Sequence, residues 1–413
     1  MTGVRTGFLR PRRSASVVVG LWLALAAATS ADAAPRVVAI GDVHGDLPAF
    51  QAILVQAGLV DAGGAWTGGD AVLVQLGDLI DRGPSMRATL DFVMALEGLA
   101  ASRGGRVVAL LGNHEVMNMV GDLRYVAPEN YAEFADAGSE KRRADAWEAV
   151  VALRKSRASR LGQPDPPVGP DERQKWLAAH PPGYLEQREA FGPDGAYGRW
   201  LRRRSACVLE SGSAFLHGGV SPSLAEPLEN LDRRVHEDLA AYDADRKLFV
   251  AQGLILPFFD MEETFRALRE ELAALDESRA KSEPAESGER RRIYQRFLEW
   301  DKWTMNSPEG PLWFRGYSGW TDEEVRAQMP RLLAAVHAER FVVAHTVQPD
   351  GRIRMRFDGA VFLIDTGMLD SRFFPGGRAS ALELSDGVAR AIYPGEPPRI
   401  LQEAPAKKVA GLR

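Results

Sequence analysis

Cysteine is nearly absent from this chain of 413 residues, which contains only Cys207. A single cysteine excludes an intramolecular disulfide and any zinc site built on several thiolates. An excess of basic charge is also lacking, because 51 Lys and Arg residues stand against 56 Asp and Glu residues. The formal net charge of −5 gives no global footprint for nucleic acid, and we expect no nucleic-acid partner. Beyond residue 33 no apolar run is long enough to span a bilayer.

The first 33 residues have the pattern of an export signal. Four arginines between residues 5 and 13 precede an apolar stretch over 17–28, and Ala31-Asp32-Ala33 follows. A positive region, a short apolar region and a small-x-small site are typical of a secretory signal peptide. We expect a periplasmic or secreted protein, cleaved near Ala33 and not stably inserted in a membrane afterwards. Arg12-Arg13 leaves twin-arginine export open beside the Sec route.

From residue 36 the chain alternates β-branched runs with helical patterns, which predicts an α/β fold. Strands are expected at 36–40, 71–76, 106–111, 206–209, 214–216, 341–344, 353–357, 361–364 and 379–384. Two helical insertions, at about 120–204 and 225–300, interrupt the catalytic domain of residues 34–396, and a disordered tail is expected over 397–413. Basic residues crowd 141–160 in the first insertion, and they are either a solvated helix face or a surface for an anionic partner.

Metal-ligand types follow several of the predicted strands directly. The six candidate ligands are Asp42, His44, Asp78, Asn113, His217 and His345. In open α/β sheets the active crevice lies at the carboxyl ends of the strands, so these side chains are expected to meet. A two-metal site requires a carboxylate that bridges the ions, with imidazole and carboxylate completing each shell. Mixed nitrogen and oxygen donors without a thiolate suit Mn, Fe or Zn.

Five short motifs carry a resemblance to a known family. They are Gly41-Asp42-Val43-His44-Gly45, Gly77-Asp78-Leu79-Ile80-Asp81-Arg82-Gly83, Gly112-Asn113-His114-Glu115, His217-Gly218-Gly219 and Ala344-His345-Thr346. In this order they resemble the calcineurin-like metallophosphoesterases, and more narrowly the phosphoprotein phosphatases. Together with the export signal, the stretch 310–317 is most similar to the bacterial Shewanella-like phosphatase branch. The resemblance implies a two-sheet α/β sandwich flanked by helices.

The resemblance also implies a role for each matched residue. Asp42 and His44 bind the first divalent ion, Asp78 bridges both ions, and Asn113, His217 and His345 complete the second. A hydroxide that bridges the metals attacks phosphorus in line. His114, held by Asp81, protonates the leaving oxygen as general acid. Arg82 and Arg315 bind the phosphate together with Asn113, since a guanidinium offers two parallel hydrogen bonds to phosphate oxygens.

The expected function is that of a metal-dependent phosphomonoesterase, a hydrolase acting on phosphotyrosine or phosphoserine/threonine in proteins. Hydrolysis of dinucleoside polyphosphates or other small phosphoesters stays open, as does a non-catalytic phosphate-binding protein. Glu115 is expected to be a structural hydrogen-bond acceptor rather than a ligand. The aromatic residues that flank Arg315, among them Trp313 and Tyr317, are expected in the core, with a substrate-pocket wall as the alternative.

Overall fold

Two β-sheets lie at the centre of the fold, in a computed structural model that describes residues 1–3, 35–279, 285–369 and 373–404. The strands are β1 Val37–Ile40, β2 Val72–Gln75, β3 Arg106–Ala109, β4 Cys207–Glu210, β5 Ser213–Leu216, β6 Arg340–Val343, β7 Arg354–Arg356, β8 Val361–Leu363, β9 Ala381–Ser385, β10 Val388–Ile392 and β11 Arg399–Gln402. The first sheet has the order β11-β10-β9-β1-β2-β3, and the second has the order β4-β5-β6-β8-β7. Each sheet contains three adjacent parallel strands, β1-β2-β3 and β5-β6-β8, so that their carboxyl ends share one edge.

Helices cover the sheets and form both insertions. Their bounds are α1 Leu47–Gln56, α2 Met86–Ala101, α3 Asn113–Val120, α4 Pro128–Ala132, α5 Ser139–Arg160, α6 Pro170–Ala179, α7 Tyr184–Phe191, α8 Ala196–Leu201, α9 Leu228–Ala251, α10 Met261–Arg279, α11 Ala285–Leu298, α12 Gly316–Gly319 and α13 Asp322–Ala335. Helices α4–α8 lie within the first predicted insertion, and α9–α11 lie within the second. No helix of the described residues combines the length and the apolar content needed to cross a bilayer.

The alternating side chains of the strands build a layered core. In β1, Val37 and Ala39 belong to the apolar cluster shared with Phe215 and Phe362 of the second sheet. The intervening Val38 and Ile40 pack on the opposite face, in the cluster that contains the buried side chains of α1 and α2. This period of two buries both faces of a strand between a facing sheet and a helix layer. The predicted α/β sandwich flanked by helices is therefore confirmed.

The basic residues of the first insertion are largely engaged within the protein. Arg142 bonds to Glu186, and Arg157 and Arg160 pair with acidic residues of α10. Arg143 donates to the carbonyl oxygens of His180 (2.6 Å) and Leu177 (2.7 Å). These contacts join α5 to α6, α7 and α10. They give Arg142, Arg143, Arg157 and Arg160 a structural role within the insertion.

The prediction of a disordered tail over 397–413 is wrong for its first residues. Residues 399–402, which the sequence placed in a disordered tail, form β11 and pair with β10. Main-chain hydrogen bonds to β10 supply the order that the composition of this segment does not indicate. Residues 405–413 lie outside the described residues. The predicted export signal, residues 1–33, also lies outside them except for residues 1–3.

Candidate metal centre

The six predicted ligands meet at the carboxyl edge of the two sheets. Each follows or closely follows a parallel strand, and none is more than 6% exposed. The chain turns sharply there: φ is +50° at His44, +55° at Asp78 and +63° at His345. Asp81 and Arg82 are also left-handed, with φ of +71° and +66°. Such angles are costly for residues with a Cβ atom and are typical of functional sites, where the surrounding fold enforces them.

Gly77 is the residue that lets two of these loops approach each other. Its φ is +88°, and a Cβ atom placed on it would lie 2.2 Å from the backbone nitrogen of Gly112. A side chain would therefore push the β2 loop away from the loop that follows β3. The close approach brings Asp78 next to Asn113 and His114. The amide of His114 donates to Asp78 Oδ1 at 3.0 Å.

One cluster of acceptors surrounds His217. Its Nδ1 donates to the carbonyl oxygen of Leu76 at 2.8 Å, so in the neutral ring the lone pair is on Nε2. That lone pair faces Asn113 Oδ1 at 3.0 Å and Asp78 Oδ2 at 3.3 Å. His345 Nδ1 lies 3.1 Å from His217 Nε2. Acceptors brought together in a buried pocket fit a cation, and Asp78, His217 and His345 form a group able to hold a metal ion.

A second cluster shares Asp78 with the first. His44 Nδ1 lies 3.1 Å from the carbonyl oxygen of Ile80, which leaves Nε2 facing Asp78 Oδ2 at 3.8 Å and Asp42 Oδ2 at 3.6 Å. Asp42 also accepts the amide of His345 at 3.1 Å, which ties the two clusters together. His44, Asp78 and His114 form the second group able to hold a metal ion. Because Asp78 belongs to both groups, it has the position expected of a bridging ligand.

The charges of the cluster reinforce cation binding. Burial opposes ionisation of Asp78, yet the neighbouring imidazoles of His217 and His114 hold its pKa well below the usual range. Burial likewise disfavours a charged His217, but the carboxylates of Asp78 and Asp42 outweigh it and raise its pKa to about 9. The carboxylates thus create a negative potential that draws a proton when no metal is bound and favours divalent ions. The donor set fits two such ions.

His114 and Asp81 form a buried dyad beside this cluster. His114 Nδ1 lies 2.7 Å from Asp81 Oδ2, and both residues are at most 1% exposed. Burial disfavours the imidazolium, but Asp78 and Asp81 together raise the pKa of His114 above its ordinary value. Asn118, a residue that sequence reasoning missed, donates to Asp81 Oδ1 at 2.9 Å. The geometry favours a protonated His114 whose Nε2 points towards the cluster, 3.8 Å from Asp78 Oδ2.

Glu115 holds the frame under the ligands. Its carboxylate accepts the amides of Asp78 (2.7 Å), Leu79 (2.8 Å) and Gly112 (2.8 Å). Burial and the charge of Asp78 raise its pKa to about 7, against the stabilising effect of these hydrogen bonds. The contacts show a structural acceptor that fastens the β2 loop to the start of α3, as the sequence predicted.

Arg82 lies on the open side of the cluster between two aromatic rings. The centre of its guanidinium is 5.2 Å from the ring of Tyr125 and 5.5 Å from the ring of Phe374. It contacts His44 Nε2, and its amide donates to the carbonyl oxygen of Tyr125 at 3.0 Å. Tyr125 is 41% exposed. The aromatic pair was not predicted, because Tyr125 and Phe374 are far apart in sequence and belong to no periodic pattern.

Arg315 lies beside His345, whereas Arg82 lies beside His44. It donates to the carbonyl oxygen of His345 at 2.8 Å and to Thr346 Oγ1 at 3.2 Å. Burial lowers its pKa, opposed by the carboxylates of Asp42 and Asp365. The ring of Trp313 lies 5.7 Å from that of His345, so this residue lines the site. Tyr317 is buried in the core, as expected for aromatic residues near Arg315.

Asp365 is a further acidic residue that the sequence reasoning did not select. It follows β8 directly and is 1% exposed, and its Oδ2 atom has no hydrogen-bond partner. Burial and the charge of Asp42 raise its pKa well above the usual range. The signal was available, since Asp365-Thr366-Gly367 repeats the pattern of an acidic residue and a glycine after a parallel strand.

Comparisons with known proteins identify the family. Residues 35–238 match the family model described as calcineurin-like phosphoesterase. An uncharacterised protein of Schizosaccharomyces pombe is 30% identical over 372 residues, which cover 88% of this chain and 82% of that protein. Shewanella-like protein phosphatase 2 of Arabidopsis thaliana is 35% identical over 210 residues, or 50% of this chain and 51% of the relative.

A solved structure shares the fold. The crystal structure of the cold-active protein-tyrosine phosphatase of a psychrophile, Shewanella sp., has a TM-score of 0.54 and 23% identity, covering 89% of this chain and 81% of that one. With motifs, fold and site in agreement, the chain belongs to the calcineurin-like phosphoesterases, in the phosphoprotein phosphatase family and its Shewanella-like branch. It is a metal-dependent phosphatase, and the predicted enzyme class is confirmed.

Proposed function

We propose that this phosphatase acts on phosphorylated proteins, with phosphotyrosine preferred over phosphoserine and phosphothreonine. The observation that carries the proposal is the aromatic opening of the site, where Tyr125 and Phe374 flank Arg82 and Trp313 lies beside His345. Aromatic side chains at a pocket mouth favour a flat aromatic group by stacking and edge contacts. The name of the Arabidopsis relative, a protein phosphatase, supports the protein substrate.

The roles of the side chains follow from their positions. Two divalent ions held by Asp42, His44, Asp78, Asn113, His217 and His345 would polarise the phosphate oxygens and supply hydroxide from water at neutral pH. Arg82, which contacts His44, and Arg315, which donates to the carbonyl oxygen of His345, bind phosphate oxygens together with the Asn113 amide. His114 donates its Nε2 proton to the leaving oxygen as the phosphorus–oxygen bond breaks, while Asp81 holds the ring in the required tautomer.

The proposal predicts a measurable substrate preference. We expect kcat/KM for a phosphotyrosine peptide to exceed that for its phosphoserine twin by about 2- to 10-fold, the range that an aromatic contact of 0.5–1.5 kcal/mol provides. Tyr125→Leu should reduce this ratio while leaving phosphoserine turnover nearly unchanged. Steady-state kinetics on both peptides and on a dinucleoside tetraphosphate, with the metal-loaded protein, make the test.

Each other outcome points to a different function. A higher kcat/KM for the dinucleoside tetraphosphate than for either peptide would contradict the protein substrate and indicate a small-phosphoester hydrolase. Absence of turnover on all three, with two metal ions bound per chain, would indicate the non-catalytic phosphate-binding protein. If kcat/KM is equal for the two peptides and Tyr125→Leu does not change either value, the preference for phosphotyrosine is contradicted, and the protein substrate is not.

For the metal ions we propose manganese, with iron and zinc as the alternatives. Carboxylate and amide oxygens make up half of the donor set, imidazole supplies the rest, and thiolate is absent from it, which fits manganese. After chelation, two equivalents of Mn²⁺ should restore activity and raise the melting temperature, since the ions bind only the folded state. Metal analysis and thermal unfolding check both. Better recovery with Zn²⁺ or Fe²⁺ would reassign the ions without changing the ligands.

A further inference from the structure

Helix α7 of the first insertion reaches the acid dyad through hydrogen bonds. Gln187 Nε2 donates to Asn118 Oδ1 at 2.8 Å, and Asn118 Nδ2 donates to Asp81 Oδ1 at 2.9 Å. The other carboxylate oxygen of Asp81 bonds to His114 Nδ1 at 2.7 Å. Gln187, Asn118 and Asp81 are all fully buried. We call this row of four side chains, Gln187-Asn118-Asp81-His114, the amide relay.

Hydrogen-bonding chemistry allows the amide relay only one orientation. The Asp81 Oδ1 atom accepts, so Asn118 must turn its NH2 group towards it and its oxygen towards Gln187. The same NH2 group donates to the carbonyl oxygen of His114 at 3.0 Å. Gln187 in turn must present its NH2 group, because its oxygen would repel that of Asn118. The Gln187 Oε1 atom is left buried without a partner, a cost that the orientation imposes.

A second contact from α7 fixes the backbone of Asn118. Arg188 Nη1 donates to the carbonyl oxygen of Asn118 at 2.7 Å, near the end of α3. No carboxylate of the described residues lies within ion-pair distance of Arg188, so this buried cation is held mainly by the carbonyl end of α3. A cation at this end of a helix is favoured by the helix dipole. Helix α3 carries Asn113 and His114 at its opposite end, so α7 holds the helix on which the acid is mounted.

We propose that Gln187 is a positioning residue for proton transfer, and that the first insertion serves to hold the Asn118 amide in the orientation that Asp81 and His114 require. This inference rests on the proposed role of His114 as general acid. The side chain of Gln187 hydrogen-bonds to Asn118, and among the described residues no hydrogen bond joins it to any of the six candidate metal ligands. It acts through Asn118. Without Gln187, Asp81 can still accept from His114, but the side-chain amide of Asn118 is free to rotate.

Dependence on the leaving group separates positioning from a general structural effect. A poor leaving group, such as the phenolate of phenyl phosphate, needs its proton in the transition state, whereas p-nitrophenolate leaves without one. A misplaced His114 therefore slows the first substrate much more than the second. Loss of stability or of metal would slow both equally.

Gln187→Met keeps the volume and removes the donor. We expect kcat for phenyl phosphate to fall by about tenfold, as is usual for loss of a hydrogen-bond partner behind a functional group, with KM and p-nitrophenyl phosphate turnover nearly unchanged. Gln187→Glu keeps the shape, and in its ionised form it offers only acceptors, so it competes with Asp81 for the NH2 group of Asn118. It should be worse than Gln187→Met on phenyl phosphate, despite its closer shape.

Tyr184→Phe is the matched control on the same helix. Tyr184 is 2% exposed and its hydroxyl donates to the carbonyl oxygen of Phe258 at 3.1 Å, away from the amide relay. We expect it to lower the melting temperature but to leave the ratio of the two kcat values unchanged. Metal content is measured for every variant, so that loss of ions is detected.

The outcomes distinguish this inference from the proposed function. If His114→Asn slows phenyl phosphate selectively but Gln187→Met slows both substrates equally or neither, the amide relay is overturned and the general acid stands. If His114→Asn itself shows no dependence on the leaving group, the role of His114 fails and the inference falls with it. Should Gln187→Glu be unfolded, Gln187→Met decides alone.

Discussion

His114→Asn is expected to lower kcat for phenyl phosphate by about 10²- to 10⁴-fold, the contribution typical of a general acid. The imidazole of His114 is held by Asp81, and the two carboxylates beside it raise its pKa, so that it carries the proton required by the leaving oxygen. Asparagine cannot supply that proton. Steady-state kinetics on phenyl and p-nitrophenyl phosphate, with metal analysis of the same samples, measure the effect.

The metal content decides between two roles for this side chain. His114 Nε2 lies within the second group of residues able to hold a metal ion, with His44 and Asp78, so it could serve as a ligand instead of an acid. If His114 is the general acid, its substitution leaves both metal ions bound. If it is a metal ligand, its substitution releases one ion. Release of one equivalent of metal from His114→Asn would contradict the assignment. His180→Asn is the control, because His180 is a buried histidine stacked on Trp176 in the insertion, outside the metal centre.

Glu115→Ala is expected to lower the free energy of unfolding of the metal-free protein by roughly 3–9 kcal/mol. Three buried amides, those of Asp78, Leu79 and Gly112, would lose their acceptor at about 1–3 kcal/mol each. A loss of this size is comparable to the total stability of many proteins. The bridging Asp78 would lose its anchor, so metal affinity should fall as well. Denaturant unfolding and metal titration give the two quantities.

Two variants bracket the Glu115 result. Glu115→Gln keeps one accepting oxygen and should show an intermediate loss. Glu148→Ala removes an exposed glutamate of α5 and should change stability by no more than about 0.5 kcal/mol. If Glu115→Ala unfolds within 1 kcal/mol of the unchanged protein and binds metal as tightly, the amides find other partners and the proposed anchoring is wrong.

The candidate metal ligands could be predicted because each lies in a short motif beside a strand. Buried strands such as β1 and β2 are visible as runs of β-branched residues, and the glycines after them mark tight turns. Parallel pairing then brings Asp42 and Asp78 to one edge whatever the lengths of the intervening helices. For this reason the donor types at the metal centre could be inferred from the sequence. The structure brings all six candidate ligands together.

Other parts depend on contacts that leave no local trace. Tyr125 and Phe374 flank Arg82 from distant parts of the sequence, and Gln187 reaches Asn118 across an insertion whose pattern shows only helices. Strand β10 is a different case. Asp386 and Gly387, with φ of +52° and +76°, form the two-residue turn between β9 and β10, and an Asp-Gly pair is a recognised hairpin signal. The Asp-Gly pair therefore predicts a hairpin and a further strand after residue 387, which corresponds to β10.

Five residues of the metal centre adopt the left-handed backbone conformation, which is unfavourable for residues with a Cβ atom. Glycine would adopt the angles of His44, Asp78, Asp81, Arg82 and His345 at less cost, and every such replacement would remove a reactive group. A library selected for heat resistance in the absence of divalent metal ions should therefore accumulate glycine or asparagine at these five positions and lose turnover as it does so. A more thermostable variant that keeps its activity therefore has to retain these five residues and be stabilised by substitutions elsewhere in the chain.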